Sequence, residues 1–262
     1  MSLTLDIGAT GMLAQQLNVD VISNNIANMT TTGYKRQRAE FQDLLYQTKV
    51  RPGASSSDQG TTVPAGIQQG LGVKAGSVYR INEQGALQMT GNPFDIAIKG
   101  EGYYMITLPS GETGYTRDGS FQLDQDGQLV TSEGYDVQPG ITIPPDAVDV
   151  TVNASGEILV KLQNQTALTN VGQIQLATFA NDAGLEAIGN NILMETEASG
   201  TAVVSNPGEP GYGQLEQGAL ETSNVNIVQE ITSLIQAQRA YEMNSKIIQT
   251  GDEMLSTISN LR

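Results

Sequence analysis

The chain has 262 residues, enough for one large or two modest domains, with a formal net charge of −15 and neither Cys nor His nor Trp. Those absences remove disulfides, thiolate chemistry, Ser-His-Asp and Cys-His nucleophilic sites, HExxH metalloproteases and the common structural zinc sites. So acidic a chain is not expected to bind nucleic acid or an anionic membrane, because phosphate binding draws on dense Lys and Arg.

The opening, MSLTLDIGATGM, has no basic n-region, and Asp6 and Gly8 interrupt its apolar run, so no cleaved signal peptide is expected. No run is apolar enough to predict a membrane-inserted helix. Leu5 to Ile26 predicts an amphipathic helix, with Leu5, Ala9, Met12, Val19 and Ile26 on one seam and Leu13, Leu17 and Val21 widening it. It stops in Asn28-Met29-Thr30-Thr31-Thr32-Gly33, where β-branched residues and then Gly end a helix. Lys35, Arg36, Arg38, Lys49 and Arg51 follow as a basic cluster, by default a solvated loop and alternatively a subunit contact.

From Thr48 the chain runs TKVRPGASSSDQGTTVPAGIQQGLG, rich in Ser, Gly, Thr and Pro, which reads as loop or extended chain. Such length in a structureless segment points to function or disorder. Between Leu71 and about Tyr212 come short β-type runs, among them VKAGSVYRI, FDIAI, GYYMITL, EILVKL and GQIQLATF. Asp118-Gly119, Asp126-Gly127 and Ser155-Gly156 read as hairpin-like turns. These predict an irregular, mostly antiparallel β domain inserted between helices, with its two ends close together. Residues 83–87 and 216–220 are the same pentapeptide, EQGAL, read as a turn delivering Ala and Leu to edge strands where the chain enters and leaves that domain.

Acidic groups here do not assemble into a catalytic pattern. Asp124-Gln125-Asp126-Gly127 lacks the further ligands of an EF-hand and reads as a hairpin turn. Carboxylate pairs such as Glu101 with Asp118, or Glu133 with Asp136, suit glycoside hydrolysis only if space brings them together, and any acidic chain offers such pairs. No enzyme activity, cofactor or metal site is expected. The segment after Ser223 predicts one long helix, capped by Asn224 or Ser223, with Ile227, Ile231, Leu234, Gln238, Tyr241, Ser245, Ile248, Asp252 and Leu255 along an interrupted apolar stripe. So narrow a stripe needs another helix to lie against, and the N-terminal one matches it.

Three blocks carry a family resemblance: ISNNIANMTTTGYKRQRAEFQDLL at 22–45, TRDGSFQLDQDGQLVTSEGYDV at 116–137, and the run from QGALETSNVNIV to the end. They resemble the bacterial flagellar rod and hook axial proteins and, by length and by all three blocks, most of all the distal-rod branch. The resemblance implies an α+β chain whose two terminal amphipathic helices (1–33 and 223–262) pack as a coiled-coil-like axial core. It further implies an extended connecting segment (34–70) with a rod-type insertion, and a β-rich outer domain (71–222). Helix packing is expected from Leu5, Ala9, Leu13, Leu17, Ile26, Ile227, Ile231, Leu234, Ile248 and Leu255. Asn25, Asn28, Gly33, Tyr34 and Lys35 carry the family turn, and Arg51, Pro52, Gly53 and Pro64 the rod-type segment.

The implied function is that of a structural subunit of the distal rod, self-assembling into a hollow helical drive shaft that transmits torque from motor to hook. Its implied partners are further copies of itself, proximal rod proteins, the hook protein, the peptidoglycan and outer-membrane ring proteins and the type III export apparatus. The implied location is the basal body from periplasm to outer membrane. A proximal rod or hook protein is the alternative within the family, and a secreted acidic ligand-binding module the alternative outside it.

Overall fold

A computed structural model describes residues 3–51, 65–163 and 167–260. The chain forms two compact units, one of Met1–Ile26, Gln37–Tyr79 and Asn226–Arg262, the other of Ala27–Arg36 and Arg80–Val225.

The first unit holds both helices, α1 (Leu3–Ala27) and α2 (Ile227–Asn260). The expected cap of α2 moves: the Asn226 side-chain oxygen accepts from the N–H groups of Val228 (3.1 Å) and Gln229 (3.3 Å). Asn226 thereby satisfies two of the donors a helix start leaves open. Ser223 and Asn224 lie outside the helix, and Asn224 has other partners.

The helices meet through small residues. A methyl group added at Gly8 would stand 2.8 Å from Ile248 Cγ1, at Gly11 2.8 Å from Asn244 Nδ2, and at Gly251 3.1 Å from Leu5 Cδ2. Gly8, Ala14, Val21, Ile22 and Asn25 are buried on α1, and Glu230, Ala237 and Gly251 on α2. This seam differs from the stripe of large apolar residues read from periodicity, because close backbone approach selects for absence of side chain.

Between the helices in sequence, strand 37–43 pairs with 73–80, and 46–50 pairs antiparallel with 67–70, Tyr46 opposite Gly70. The outer part of this ribbon is largely exposed. Its turning point lies against α1, where a methyl at Gly72 would stand 2.2 Å from Thr10 Oγ1.

The second unit is the expected antiparallel β domain. Strands 186–189, 192–194, 113–116, 103–107, 136–137, 129–131 and 121–123 follow one another across its main sheet, with 176–178 joining 103–107 to 203–205. A three-stranded sheet, 147–152, 157–162 and 168–173, packs its inner face on the same core of Ile96, Tyr104, Phe121, Ile158, Val160 and Leu176. Tyr104 is wholly buried: its ring stands edge-on to Phe121 at 4.9 Å and its hydroxyl donates to the Ile96 carbonyl at 2.7 Å.

Two of the expected turns are hairpins. Gly127 (φ 78°) joins strands 121–123 and 129–131, and Gly156 (φ 83°) joins 147–152 and 157–162. Asp118-Gly119 is not one, since it links strands 113–116 and 121–123, which lie far apart in the sheet. Gly119 is required by contact instead, since a methyl there would stand against the Ile96 carbonyl group, and its own carbonyl accepts from the Ile96 N–H. The two EQGAL copies lead into strands that pair with each other, Leu87 opposite Glu221 and Met89 opposite Ala219, so the ends of the β domain do lie side by side.

Candidate functional site

Two arrangements carry the residues singled out in the sequence, one in each unit. In the helical unit, Leu5 is half-buried against Gly251 and Ile248 against Gly8, while Leu17, Ile26 and Leu234 are also half-buried. Ala9, Leu13, Ile227, Ile231 and Leu255 are exposed, Leu13 at 66% and Ile231 at 46%. Val228 (75% exposed), Ile235, Met243 and Met254 add to the uncovered apolar surface of α2. Helix pairing thus uses one part of the predicted packing set and leaves the other facing outward.

Asn25 ties this unit together. Its side-chain oxygen accepts from the Gln37 N–H (2.8 Å), and its amide donates to the Gln37 carbonyl (2.9 Å) and to Glu230 Oε2 (3.2 Å). At 1% exposure it joins the end of α1 to the start of the ribbon and to the first turns of α2. Asn25→Ala is expected to cost about 2–4 kcal/mol, because it strands buried polar groups. Thermal unfolding followed by far-ultraviolet circular dichroism measures this, and a shift within that of an exposed control would refute it.

In the β unit the three family blocks converge on one carboxylate. Glu221, its side chain 1% exposed, accepts from Lys35 Nζ at 2.6 Å and Arg117 Nε at 2.7 Å. Lys35 and Arg117 are themselves buried, at 7% and 8%. The Gly85 N–H completes the set on Glu221 Oε1 at 2.8 Å. Backbone carbonyls take the remaining donors: Glu83 from Lys35 (2.9 Å), Gly102 from Arg117 Nη1 (2.8 Å) and Gly100 from Arg117 Nη2. Burial pushes the Glu221 carboxyl up, but Arg117 and Lys35 outweigh it and hold it below the ordinary glutamate range. Burial, and then Arg117, push the Lys35 ammonium down against the pull of Glu221. The Lys35 shift follows chiefly from its burial, and the Glu221 shift from its two cationic partners.

Neighbouring residues of the family turn shape this knot. Gly33 (φ 66°) donates its N–H to the Glu221 carbonyl at 2.8 Å, and a methyl there would stand 2.9 Å from the Arg117 carbonyl carbon. Asn28 closes the turn by accepting from the Thr31 hydroxyl (3.1 Å), and the Tyr34 N–H donates to the Thr31 carbonyl. Asn224 grips the chain beyond, accepting from the Arg36 N–H (2.7 Å) and donating to the carbonyls of Ile81 and Glu83. Lys35 is therefore neither a solvated charge nor a free basic group for a subunit contact. Sequence reasoning missed Arg117, Glu221 and Asn224 as a group; the available signal was a Lys, an Arg and a Glu, one in each family block. Arg51 is exposed, while Pro52, Gly53 and Pro64 lie outside the described residues.

Nothing in either arrangement positions a reacting group. Asp118 is occupied in accepting from Ser120 N–H and Oγ, and Asp124 to Gly127 form the hairpin turn. Among the described residues no group of three or more acidic side chains is placed to hold a metal ion.

Three family models match in chain order: the flagella basal body rod protein over residues 5–35, the flagellar hook protein FlgE/F/G D1 domain over 97–160, and the flagellar basal body rod FlgEFG protein C-terminal region over 216–261. They define a class, the axial proteins of the flagellar rod and hook, and each contributes one charge of the knot or stands beside it. Flagellar basal-body rod protein FlgG of Caulobacter vibrioides is 62% identical over 98% of both chains. FlgG of Borreliella burgdorferi is 48% identical, and that of Bacillus subtilis 42%, over 96–97% of each chain. The chain belongs to the FlgG family of flagellar basal-body rod proteins.

Proposed function

We propose that this protein is a structural subunit of the flagellar distal rod, and not an enzyme, polymerising with copies of itself into a hollow helical shaft that carries torque toward the hook. The observation that carries this reading is the uncovered apolar surface of the helices, with Val228, Leu13, Met243 and Met254 each more than half exposed in the single chain. Large apolar side chains left in water on both helices are what a surface for association presents. The terminal helices then form the inner, coiled-coil-like axial layer and residues 71–222 the outer layer, with the exposed members of the predicted packing set meeting neighbouring subunits. Open helical polymers need two different surfaces to meet, and two helices with unlike faces supply them.

On this reading its partners are further copies, proximal rod proteins, the hook protein, the surrounding ring proteins and the flagellar export apparatus. It resides in the basal body from periplasm to outer membrane and gets there through the flagellar export apparatus. Residues 34–70 connect the layers, and the rod-type segment within them keeps the shaft straight.

In cells lacking this chain, isolated basal bodies are expected to stop short of the distal rod, and the reintroduced chain restores it. Complete rods in its absence would overturn the reading. Disabling the flagellar export apparatus is expected to remove the protein from the periplasm, and its presence there at ordinary levels, read by fractionation, would overturn the export route.

A further inference from the structure

The β unit buries two cations from segments 82 residues apart in sequence, and one carboxylate neutralises both. That carboxylate arrives last in the chain, 104 residues after Arg117, on the strand by which the chain leaves the unit. We propose that Glu221 is an electrostatic latch, which makes closure of the whole β unit conditional on the return of the C-terminal segment. This goes beyond the assembly reading and does not depend on it.

Without Glu221 the site keeps both buried cations. Lys35 and Arg117 then face each other in a water-poor site with carbonyl oxygens but no counterion. Breaking a buried ion pair by removing one partner is far more damaging than replacing the pair, because it leaves charge buried and uncompensated. Here the removal of one carboxylate uncovers two cations. The backbone depends on the same residue: Glu221 receives the Gly85 N–H on its side chain and the Gly33 N–H on its carbonyl. Gly85 is itself so tightly enclosed that a methyl there would stand 1.9 Å from the Thr222 carbonyl oxygen. Four chain segments, at Gly33 to Lys35, Glu83 to Gly85, Gly100 to Arg117 and Glu221, therefore meet at a point that holds together only when the last is in place. Until then the earlier segments lack a neutral core to close on.

The distinction to be tested is between a latch that works by charge and a side chain that matters only for shape and hydrogen bonding. Glu221→Gln keeps the size and an acceptor while removing the charge. In the full chain it is expected to lower the folded-to-unfolded ratio of the β unit on the order of 10²- to 10³-fold. Near-ultraviolet circular dichroism of the buried tyrosines, or limited proteolysis, reports this. Lys35→Met in the same background removes one of the two stranded cations and is expected to recover at least tenfold of that loss. Lys35→Met alone, which leaves a one-to-one pair, is expected to cost at least tenfold less than Glu221→Gln. Should Glu221→Gln fail to fold at all, recovery in the double variant remains the readout. A Glu221→Gln chain as stable as the parent, or a loss that Lys35→Met does not relieve, would overturn the latch.

Discussion

Full-length protein carrying Ile231→Asp is expected to fold as a monomer and to form no polymer, and cells relying on it to be non-motile with truncated basal bodies. Ile231 stands on the outer side of α2, 46% exposed, so in the single chain the carboxylate remains in water and the cost is mainly that of helix propensity, about 0.5 kcal/mol. In the proposed polymer the same position would be covered by a neighbour. An unpaired carboxylate there either stays ionised at several kcal/mol or takes up a proton, and every subunit in the lattice bears the penalty. Leu234→Asp is also expected to prevent assembly, but Leu234 is half-buried in the chain's own helical unit and its loss should in addition lower the stability of that unit. Both should leave the tyrosine signal of the β unit intact. Sedimentation and circular dichroism of the purified variants, beside basal-body counts, decide the matter; normal rods built from the Ile231→Asp chain would refute assembly through this face.

The contrast between these two positions shows what periodicity conveys and what it conceals. Residues 5–26 and 227–260 were legible as helices because apolar residues recur every three or four positions and no Pro interrupts them. The face that pairs was not legible. Glycine at 8, 11 and 251 has no weight in an apolar pattern, yet it permits the closest approach, and Ile227 and Ile231 fit the pattern while remaining exposed. Apolar periodicity finds a helix and its apolar residues and does not say which of them the chain itself covers.

The β unit divides in the same way. Strands 103–107 and 157–162 stand out because their residues are densely apolar and β-branched, as strands at the core must be. Strands 186–189 and 192–194 are too short to stand out, and 186–189 is exposed throughout, although Asn190-Asn191 between them, both with positive φ, is a recognisable hairpin turn. The ionic knot was least legible of all. Glu221 is one of 28 acidic residues, and Lys35 sits in a run of bases that looks solvated. Nothing local marks either as buried, because the reason for burial is a contact across 186 residues. Family blocks point to such positions, but only space shows that they meet.

Replacing Gly119 by Ala is expected to destabilise the β unit by about 3–4 kcal/mol, a large part of the 5–15 kcal/mol that holds a typical domain folded. The cause is not backbone conformation, since Gly119 has no positive φ. Its added methyl would stand 1.7 Å from the Ile96 carbonyl oxygen and 2.8 Å from the carbonyl carbon, distances at which backbone must move. Neither side yields easily. Ile96, 1% exposed, opens the strand that pairs with 214–217, and its N–H donates to the Gly119 carbonyl at 3.0 Å. On the other side Phe121, equally buried, fixes the chain two residues on. Separation breaks the hydrogen bond and also withdraws the Ile96 carbonyl from the Tyr104 hydroxyl in the middle of the core. Gly134→Ala is the matched control: Gly134 has φ 84° and open space where a methyl would go, so it should cost only the left-handed penalty of about 1–2 kcal/mol. Thermal unfolding of the two variants followed through the tyrosine signal distinguishes them, and a Gly119→Ala protein no less stable than Gly134→Ala would show that the contact at Ile96 relaxes at little cost.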